Sequence, residues 1–514
     1  MSFPGLQIPC HAAHEAPPAE CDLLVVGGGI NGAGIARDAV GRGFSVVLCE
    51  QHDIAAHTSS ASTKLVHGGL RYLEHFELRL VSKALREREV LISMAPHIMW
   101  PLRFVIPHAA HLRPAWMIRL GLLLYDNLAR RRYLPGSRTI DLRTHIVGSS
   151  LKLNYRRGFI YSDGWVDDAR LVVLNAVDAV ERGAVVLTGT RCEQLEIEGN
   201  QWIATLRPAI GEPFALRARM VVNATGPWVA DFLATVAQRP AGSQVRLVKG
   251  SHIVVPRLFD HSYAYIFQAV DKRVIFAIPY EQKFTLIGTT DMEYLGDPSK
   301  VQISDDETLY LCQMANNYFK QQLSPKSVVW SYAGVRPLLD DQSAKLSSVT
   351  RDYRLELNTD GPPLLSVFGG KLTTYRRLAE ESLDLIAHHF GRRAACSTSH
   401  EPLPGGDLPD ADFAKFLRSL RWRYAWLPSD LRRRYARAYG SRIARLLGDA
   451  TSLFDLGELV LPGLFAREIA YLRCEEWAQT AHDILWRRSK LGLHLPVGSE
   501  AVLDAWLQQN PGEL

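Results

Sequence analysis

Cationic side chains, some of them beside glycine and proline turns, are the first residues in this sequence that could do chemistry. Four of them could form one site: Arg71, Arg336, Arg351 and Lys371. Arg336 stands between Gly334 and Pro337, and Lys371 directly follows a pair of glycines. A phosphate monoester is a dianion near neutral pH, and guanidinium groups match its oxygens in a bidentate fashion. The residues predict a phosphate-ester pocket clamped by Arg336 and Arg351, the alternative being ordinary surface ion pairs.

A glycine-rich turn near the N-terminus predicts a dinucleotide site. Residues 22–26 have the pattern of a short buried strand, and G-x-G-x-x-G follows at once with Gly27, Gly29 and Gly32. Such glycines permit a tight turn, the close approach of a pyrophosphate, and close packing of the next helix on the strand. Because a glycine pattern alone is often only a tight turn, the neighbouring elements must decide between the two interpretations.

The elements around these glycines favour a parallel nucleotide-binding unit. Residues 31–42 have helical character and residues 45–49 form a second predicted strand, so a right-handed crossover is expected. Glu50 ends that strand, where a carboxylate would accept hydrogen bonds from an adenosine ribose. A second turn of small residues, 223–226, follows a strand far downstream. Such a return of the chain to the same cofactor favours FAD over NAD.

Length and composition indicate an ordinary globular protein with more than one core. The 514 residues are 47% hydrophobic and carry a net charge of +5, which excludes a disordered chain and does not single out nucleic acid as a partner. The seven cysteines are dispersed without a C-x-x-C pair, so we predict a reducing compartment and no metal site. The sequence shows neither the apolar core of a signal peptide nor a stretch able to span a bilayer.

The patterns along the chain predict three parts. Residues 1–20 are expected to be a flexible leader. Residues 21–390 are expected to form an α/β domain, a Rossmann-type FAD-binding fold with an antiparallel-sheet substrate domain inserted at about 75–150 and 248–350. Residues 391–514 begin with a Pro- and Gly-rich linker and continue with helical periods, which predicts a helical C-terminal cap domain.

The segment 57–72 carries a family resemblance. Its sequence, His-Thr-Ser-Ser-Ala-Ser-Thr-Lys and then Leu-Val-His-Gly-Gly-Leu-Arg-Tyr, closely resembles the flavin loop of aerobic, FAD-linked glycerol-3-phosphate dehydrogenases, members of the D-amino-acid-oxidase-like flavoprotein group. Further matches are the segments 95–97, 112–116, 249–252, 331–337, 350–353 and 368–375. The resemblance covers most of the chain from about residue 22 to residue 375, and the tail is similar to this family's cap domain.

The resemblance implies a role for each matched residue. Together with the glycine motif, Glu50 and the 223–226 turn, it predicts an FAD site made of Gly27, Gly29, Gly32, Glu50, Ser59, Ser60, Ser62, Lys64, His67, Gly69, Ala224, Gly226, Gly370, Leu372 and Thr373. The residues that it implies for the substrate, sn-glycerol 3-phosphate, are Arg71, Tyr72, His252, Arg336, Arg351, Lys371 and Thr373.

The implied reaction oxidises sn-glycerol 3-phosphate to dihydroxyacetone phosphate and passes the electrons through FAD to a membrane quinone, ubiquinone. Hydride must leave C2 of the substrate while a base takes the hydroxyl proton. His252 is the first candidate for this base because imidazole titrates near working pH; the alternative is a histidine that only hydrogen-bonds locally. Lys371 is the second candidate, because nearby arginines would lower its pKa. Arg336 completes the predicted catalytic set.

Two segments could contact a membrane surface. Residues 116–125 are apolar except for Arg119 and precede the basic run 130–132, and a second basic set consists of residues 432–434 and Arg437. Each could be a core helix with a solvated charged end, or an apolar stretch with flanking cations that lies in the headgroup plane. The resemblance favours the membrane, and it implies a cytoplasmic protein bound peripherally to the inner face of the cell membrane, in many members as a homodimer.

Three alternatives remain open. A glycerol-3-phosphate oxidase would have the same substrate site and would differ in reducing O2. An amino-acid or amine oxidase of the same fold would need only one strong arginine clamp for its carboxylate substrate. A flavin-fold protein that binds RNA or another partner would use the basic runs, but these are not interleaved with aromatic residues as base stacking requires.

Overall fold

The structure is a computed structural model that describes residues 17–109, 112–268, 273–340, 352–393 and 395–511, except for the side chain of His75. The strands are β1 (Glu20–Val26), β2 (Val46–Cys49), β3 (Leu65–Val66), β4 (Met99–Pro107), β5 (Arg138–Asp141), β6 (Arg157–Val166), β7 (Val185–Leu187), β8 (Thr190–Glu198), β9 (Gln201–Pro208), β10 (Phe214–Asn223), β11 (Val245–Pro256), β12 (Ala264–Gln268), β13 (Val274–Tyr280), β14 (Phe284–Gly288), β15 (Met292–Glu293), β16 (Trp330–Leu339), β17 (Arg354–Asn358), β18 (Leu364–Phe368), β19 (Leu459–Leu461) and β20 (Leu464–Phe465).

The α-helices are α1 (Ile30–Gly41), α2 (Leu78–Met94), α3 (Ala115–Asn127), α4 (Asp168–Glu181), α5 (Val229–Thr235), α6 (Asp305–Tyr318), α7 (Tyr375–His389), α8 (Phe413–Arg423), α9 (Ser429–Tyr439), α10 (Ile443–Leu447), α11 (Ala466–Glu476) and α12 (Ser499–Gln509). A π-helix, Asp483–Arg488, lies between α11 and α12. Within the described ranges, no helix combines the length and the apolar character needed to cross a bilayer.

The first sheet is the predicted dinucleotide-binding layer. Its strands β18, β10, β1, β2 and β7 lie side by side in parallel, β17 adds an antiparallel edge, and β9 and β8 continue antiparallel from β10. Leu23 and Val25 of β1 face the core shared with α1, α4 and α7, whereas Leu24 and Val26 face a second core that contains Trp202. Because both faces of the central strands are covered, they are continuously apolar. The predicted α/β, Rossmann-type fold class is confirmed.

The second sheet is mostly antiparallel and runs β15-β11-β14-β13-β12-β4-β6-β3, with β16 also paired to β11 and β5 to β6. Its strand β6 lies beyond the expected insertion at 75–150, and the predicted boundaries of the substrate domain stay a prediction. Ser162 and Asp163 interrupt the apolar pattern of β6, yet both are buried, because Asp163 accepts hydrogen bonds from Arg88 and from the hydroxyl of Tyr125. Long-range partners therefore allow a strand that local hydropathy does not suggest.

The C-terminal region contains α8 to α12, the π-helix and a short hairpin of β19 and β20, packed around a core of its own. The predicted helical character is confirmed, and the hairpin is an addition. Two arginines of the second basic set are already engaged with other side chains. Arg434 forms a bidentate pair with Glu468 at 2.6 Å, and Arg437 lies 4.2 Å and 3.6 Å from the ring centroids of Trp100 and Phe413. Their interpretation as membrane-facing cations is wrong, because Arg434 is paired within the domain and Arg437 packs between this domain and Trp100 of β4.

Candidate active site

The glycine turn after β1 forms the floor of a cavity of about 760 Å³. Gly27 has a φ of +110°, and a Cβ there would lie 2.6 Å from the carbonyl oxygen of Ala224. A Cβ on Gly32 would lie 1.9 Å from the carbonyl oxygen of Gly27, so α1 can pack on β1 only with glycine at this position. Gly27 and Gly29 line the cavity, and Gly32 lies behind them. The glycines thus have the separate roles that their spacing predicts.

The N-terminus of α1 opens into this cavity, and its N-cap position is a glycine, which has no side chain to cap the helix. The cap residue Gly29 makes no side-chain hydrogen bond, and the first turn contains no acidic residue. Asn31 donates from Nδ2 to the carbonyl oxygen of Gly369 at 3.2 Å, and its buried Oδ1 has no hydrogen-bond partner among the described residues. Backbone amides and a positive helix dipole aimed at an open space fit a pyrophosphate.

Glu50 and the downstream turn complete the cofactor end of the cavity. Glu50 accepts hydrogen bonds from the backbone amides of Gly28 at 2.7 Å and His52 at 2.9 Å, and burial raises the pKa of its carboxyl. Because β10 lies beside β1, the turn after it brings Ala224 and Gly226 to the same wall. A carboxylate, an amide-rich turn and a helix N-terminus on one cavity fit an adenine dinucleotide.

The loop after β2 supplies a second wall. Its cavity-lining residues include Ser59, Ser62, His67 and Gly69 from the predicted flavin set, and also Thr63. Ser59 accepts a hydrogen bond from the backbone amide of Ile30 at 3.0 Å, which ties this loop to the glycine turn. Gly370, Leu372 and Thr373 also line the cavity. Most of the residues predicted from sequence for the cofactor therefore lie around one space.

Lys64 and Ser60 do not line the cavity. The ammonium of Lys64 is buried and lies 2.7 Å from both carboxylate oxygens of Asp168, and it donates to the carbonyl oxygen of Ser60 at 2.6 Å. The same carboxylate accepts hydrogen bonds from the amide and the hydroxyl of Ser62. The prediction that Lys64 contacts the flavin is therefore not supported. Its charge holds the loop in shape by satisfying a buried carboxylate at the start of α4.

Cationic side chains also line this cavity. Arg71, Tyr72, Arg336, Lys371 and Thr373 line it together with residues of the flavin loop. The ammonium of Lys371 lies 3.8 Å from the centroid of the Tyr72 ring. The hydroxyl of Thr373 accepts a hydrogen bond from the amide of His67 at 3.2 Å, which joins this wall to the flavin loop.

Arg336 is not a free cation. Its Nη1 lies 2.5 Å from Oδ1 of Asp291, and its Nη2 donates to the hydroxyl of Thr289 at 3.1 Å. Gly250 on the paired strand leaves room for this guanidinium, since a Cβ there would lie 2.5 Å from Nη2. Arg336 thus lines the cavity while already paired, and its role as a phosphate clamp stays a prediction. Arg351, the other predicted clamp residue, lies outside the described residues.

His252 is buried behind the cavity wall. Its ring stacks on Tyr332 at a centroid distance of 4.7 Å, and its Nε2 lies 2.9 Å from the hydroxyl of Thr63, which lines the cavity in its place. Burial, together with the charges of Arg336 and Lys64, holds the pKa of His252 well below its ordinary value. The imidazole thus reaches the cavity only through the hydroxyl of Thr63, and its role as the first candidate for the catalytic base stays a prediction.

Several residues of this site were missed by the sequence analysis. Asp168 organises the flavin loop, Asp291 pairs with Arg336, and Tyr332 donates from its hydroxyl to the carbonyl oxygen of Ser62 at 2.7 Å. Asp168 follows a second aspartate at the start of a helix, which is a detectable capping pattern. No local pattern marks Asp291 or Tyr332, because their partners lie far away in the chain.

Comparison with known proteins places this geometry in a family. The family model described as FAD dependent oxidoreductase matches residues 22–376, the part of the chain that contains both sheets and every residue of the cavity. This chain belongs to the FAD-dependent oxidoreductase family. Its cofactor is FAD, and the N-terminus of α1, Glu50 and the two glycine turns are the parts of this oxidoreductase that fit it.

Curated relatives of this FAD-dependent oxidoreductase are similar over almost their whole length. A glycerol-3-phosphate dehydrogenase of Pseudomonas aeruginosa is 55% identical, with 96% of each chain covered. An aerobic glycerol-3-phosphate dehydrogenase of Escherichia coli is 50% identical, with 95% of this chain and 97% of the relative covered. A D-erythritol 1-phosphate dehydrogenase of Brucella abortus is also 50% identical, with 96% and 98% covered.

Solved structures show the same architecture. The glycerol-3-phosphate dehydrogenase from Bacillus halodurans, complexed with FAD, superposes with a TM-score of 0.76 at 29% identity, and 95% of this chain and 89% of that chain are covered. An L-alpha-glycerophosphate oxidase from Mycoplasma pneumoniae has a TM-score of 0.58 at 15% identity, with 75% of this chain and 99% of that chain covered. The second likeness concerns the fold alone.

Proposed function

We propose that this flavoenzyme oxidises sn-glycerol 3-phosphate to dihydroxyacetone phosphate and delivers the electrons to ubiquinone in the membrane. The observation that carries the proposal is that Arg71, Arg336 and Lys371 line the same cavity as the flavin loop. A phosphate dianion and a cluster of cations are complementary. The two dehydrogenase relatives at 55% and 50% identity support the same substrate.

The bound phosphate would be recognised by charge and by orientation. Arg71 and Lys371 supply positive charge, and Arg336 supplies a guanidinium that Thr289 and Asp291 already hold in place. A side chain that is held before the ligand arrives loses less rotamer entropy on binding. The substrate would therefore meet a preformed arginine rather than a mobile one, which favours a fixed orientation of the reacting carbon.

FAD, when bound, accepts the hydride that leaves C2 of the substrate. We assign the accompanying proton to Lys371, because it lines the cavity and His252 does not. The ammonium of Lys371 lies 3.8 Å from the centroid of the Tyr72 ring, and this contact holds the side chain at the cavity wall. His252 fixes the hydroxyl of Thr63, so Thr63 can orient a hydroxyl of the substrate.

The direct test follows the flavin itself. The purified, full-length protein is mixed with sn-glycerol 3-phosphate in the absence of oxygen, and the absorbance of oxidised flavin near its visible maximum is recorded. Prompt loss of that absorbance is expected with this substrate, whereas a D- or L-amino acid should leave it unchanged. Bleaching by an amino acid and not by sn-glycerol 3-phosphate would overturn the proposal.

A second candidate substrate is D-erythritol 1-phosphate, which the Brucella abortus relative names. The two substrates share the phosphate and an oxidisable secondary hydroxyl, so the same cations would serve both. They differ by one carbon and one hydroxyl, and such a difference changes kcat/KM mainly through the fit of the polyol. The ratio of kcat/KM for the two phosphates, measured by flavin bleaching, separates the candidates.

The electron acceptor requires a separate measurement, because an oxidase would have the same substrate site. Reduced enzyme is mixed in a stopped-flow instrument with a soluble ubiquinone analogue or with dissolved O2. We expect reoxidation by the quinone to be the faster reaction. Rapid reoxidation by O2 with peroxide formation, and a slow reaction with the quinone, would identify the protein as an oxidase instead.

A membrane surface is supported by one exposed helical face. Trp116, Leu120, Leu123 and Leu124 follow the spacing of a single face of α3, and they are exposed, Trp116 by 66%. Phe76 is exposed at the end of the segment that carries Arg71 and Tyr72, and this segment packs against α3. An apolar helix face of this kind buries itself readily in the headgroup region of a bilayer.

Exposed arginines flank that face, with Arg113 before α3 and Arg130 and Arg132 after it. They would interact favourably with anionic headgroups, which are enriched on the cytoplasmic leaflet. We therefore place the protein in the cytoplasm, bound peripherally to the inner face of the cell membrane through α3. Homodimers, which the family resemblance implies, would appear as a doubled mass in light scattering of the detergent-solubilised protein.

A further inference from the structure

The segment 483–490 of the C-terminal domain contacts the walls of the cofactor cavity from behind, although none of its residues lines that cavity. It consists of the π-helix and the two residues that follow it. The amide of the first of these, Ser489, donates to the carbonyl oxygen of Ile484. π-helical turns are rare and are frequently found at functional sites. We call these residues the clamp segment.

The first contact of the clamp segment is to Asp53. Arg488 forms a bidentate pair with this carboxylate at 2.7 Å and 2.8 Å, and Nε of Arg487 lies 2.6 Å from it. The Asp53 side chain is 8% exposed and that of Arg488 is fully buried. Burial alone would raise the pKa of Asp53, but the two arginines lower it below its ordinary value. Asp53 belongs to the loop 51–57, most of which lines the cofactor cavity.

The second contact is aromatic. The ring of Trp486 stacks on Trp330 at a centroid distance of 4.7 Å, and Trp330 contacts Tyr332 at 5.0 Å. Tyr332 stacks on His252 and donates a hydrogen bond to the carbonyl oxygen of Ser62. A continuous row of rings therefore leads from the C-terminal domain to the flavin loop, and it follows the strand that carries Arg336.

The third contact reaches the start of α4. The ammonium of Lys490 lies 3.6 Å from the carboxylate of Asp167. The next residue, Asp168, holds the amide and hydroxyl of Ser62 and the ammonium of Lys64. The clamp segment thus contacts Asp53, Trp330 and Asp167, which are distant from one another in the sequence. Through them it supports the loop 51–57 and the flavin loop around Ser62.

We propose that the clamp segment positions the two cofactor loops, with Asp53 and Trp486 as the positioning residues, and thereby keeps FAD bound. Contacts that hold a binding loop in its bound conformation lower the entropy cost of binding, and their loss acts mainly on dissociation. The C-terminal domain is then part of the cofactor site rather than only a cover over it.

The experiment measures FAD release from the full-length holoenzyme. The protein is diluted below the dissociation constant, and the fluorescence of released flavin is followed with time. Asp53→Asn should release FAD about tenfold faster or more, because it breaks a buried, hydrogen-bonded charge pair next to the loop. Trp486→Leu removes the aromatic contact without leaving an unpaired charge, and it should also accelerate release. This second variant keeps the test informative if Asp53→Asn does not fold.

Arg442→Met is the matched control. Arg442 is also largely buried and joins the C-terminal domain to α4 through Glu181, the last residue of that helix. Its other partners, Glu475 and Tyr471, belong to α11, so none of the three lies in a cofactor loop. This variant should release FAD within about twofold of the wild-type rate. If it releases FAD as fast as Asp53→Asn, or if Asp53→Asn and Trp486→Leu both release FAD at the wild-type rate, the clamp does not control cofactor retention and the proposal is overturned.

Discussion

Nη1 of Arg336 lies 2.5 Å from Oδ1 of Asp291, and both side chains line the cofactor and substrate cavity. A carboxylate therefore occupies part of the donor edge that a phosphate would use. The pair fixes the arginine before a ligand arrives, but it also lowers the positive charge available to that ligand. Asp291 thus holds Arg336 in place and also competes with the phosphate for its guanidinium.

Replacing Asp291 with asparagine separates these two effects. Asp291→Asn should bind inorganic phosphate about fivefold more tightly, corresponding to about 1 kcal/mol for a pair that is partly exposed. It should also lower kcat, since Arg336 is held less firmly. The inhibition constant of phosphate and kcat are measured together. Asp305→Asn makes the same charge change at an exposed position on α6 and should alter neither; weaker phosphate inhibition in Asp291→Asn would contradict this account.

Truncating Arg336 should weaken the recognition of the phosphate. Arg336→Ala is expected to lower kcat/KM by about 10- to 100-fold, from the loss of about 1.5–3 kcal/mol of charge-assisted hydrogen bonding. Arg336→Lys retains the charge but not the planar fork, so it should recover only part of this loss. Steady-state kinetics with an artificial acceptor provide the measurement. Arg354→Ala, at an exposed position on β17, should behave like the wild type; equal losses in both alanine variants would argue against a specific contact.

The role of Lys371 predicts a pH profile. Since the neutral amine must accept the hydroxyl proton, kcat/KM should rise with pH as the ammonium deprotonates. Lys371→Met should lose this rise and reduce kcat by about 100-fold or more, a loss of the size expected for a general base. Added small amines should restore part of the rate. A methionine variant that keeps the rise with pH would assign the proton to another group.

His97 predicts a pH dependence of stability. It is fully buried, both ring nitrogens lack hydrogen-bond partners among the described residues, and burial together with Arg170 and Arg437 holds its pKa well below 6.5. The unfolded chain therefore binds a proton that the folded chain does not. Stability should be fully present above about pH 6.5 and should fall by about 1.4 kcal/mol per pH unit below it, for this group alone.

Urea unfolding between pH 5 and pH 7.5 measures this slope. His97→Gln removes the titrating group. The free energy of unfolding should then depend less steeply on pH, by about 1.4 kcal/mol per pH unit, whatever the effect of the substitution on absolute stability. His400→Gln changes an exposed histidine and should leave the slope as in the wild type. A slope that is unchanged in His97→Gln would show that other buried groups account for the whole dependence.

The exposed face of α3 predicts how the protein binds lipid. The double variant Trp116→Ser and Leu120→Ser should lower the partition coefficient into anionic phospholipid vesicles about tenfold or more, because two large apolar side chains are removed from the surface. Vesicle co-sedimentation measures the bound fraction. Trp422→Ser removes a tryptophan that is 89% exposed on the C-terminal domain and should have little effect. The reverse order of effects would place the membrane surface on the C-terminal domain.

Local sequence was sufficient for the dinucleotide end of the site. Gly27, Gly29 and Gly32 follow a strand and open a helix, and Glu50 ends the next strand, as their spacing predicts. These features depend on backbone geometry over few residues, where the steric demands of a tight turn and the directions of consecutive elements decide the structure. The family resemblance of the segment 57–72 likewise led to residues that border one cavity.

Side-chain pairing across the fold was decided only by the tertiary structure. His252 and Lys64 had the residue types expected of site residues, but packing buried the first behind Thr63 and paired the second with Asp168, 104 positions away. Asp53 meets Arg488 across 435 positions. Whether a charge faces a ligand or a partner depends on which groups the fold brings within hydrogen-bonding distance and on how far it excludes water. No local pattern contains that information, because burial and long-range proximity exist only after the chain has folded.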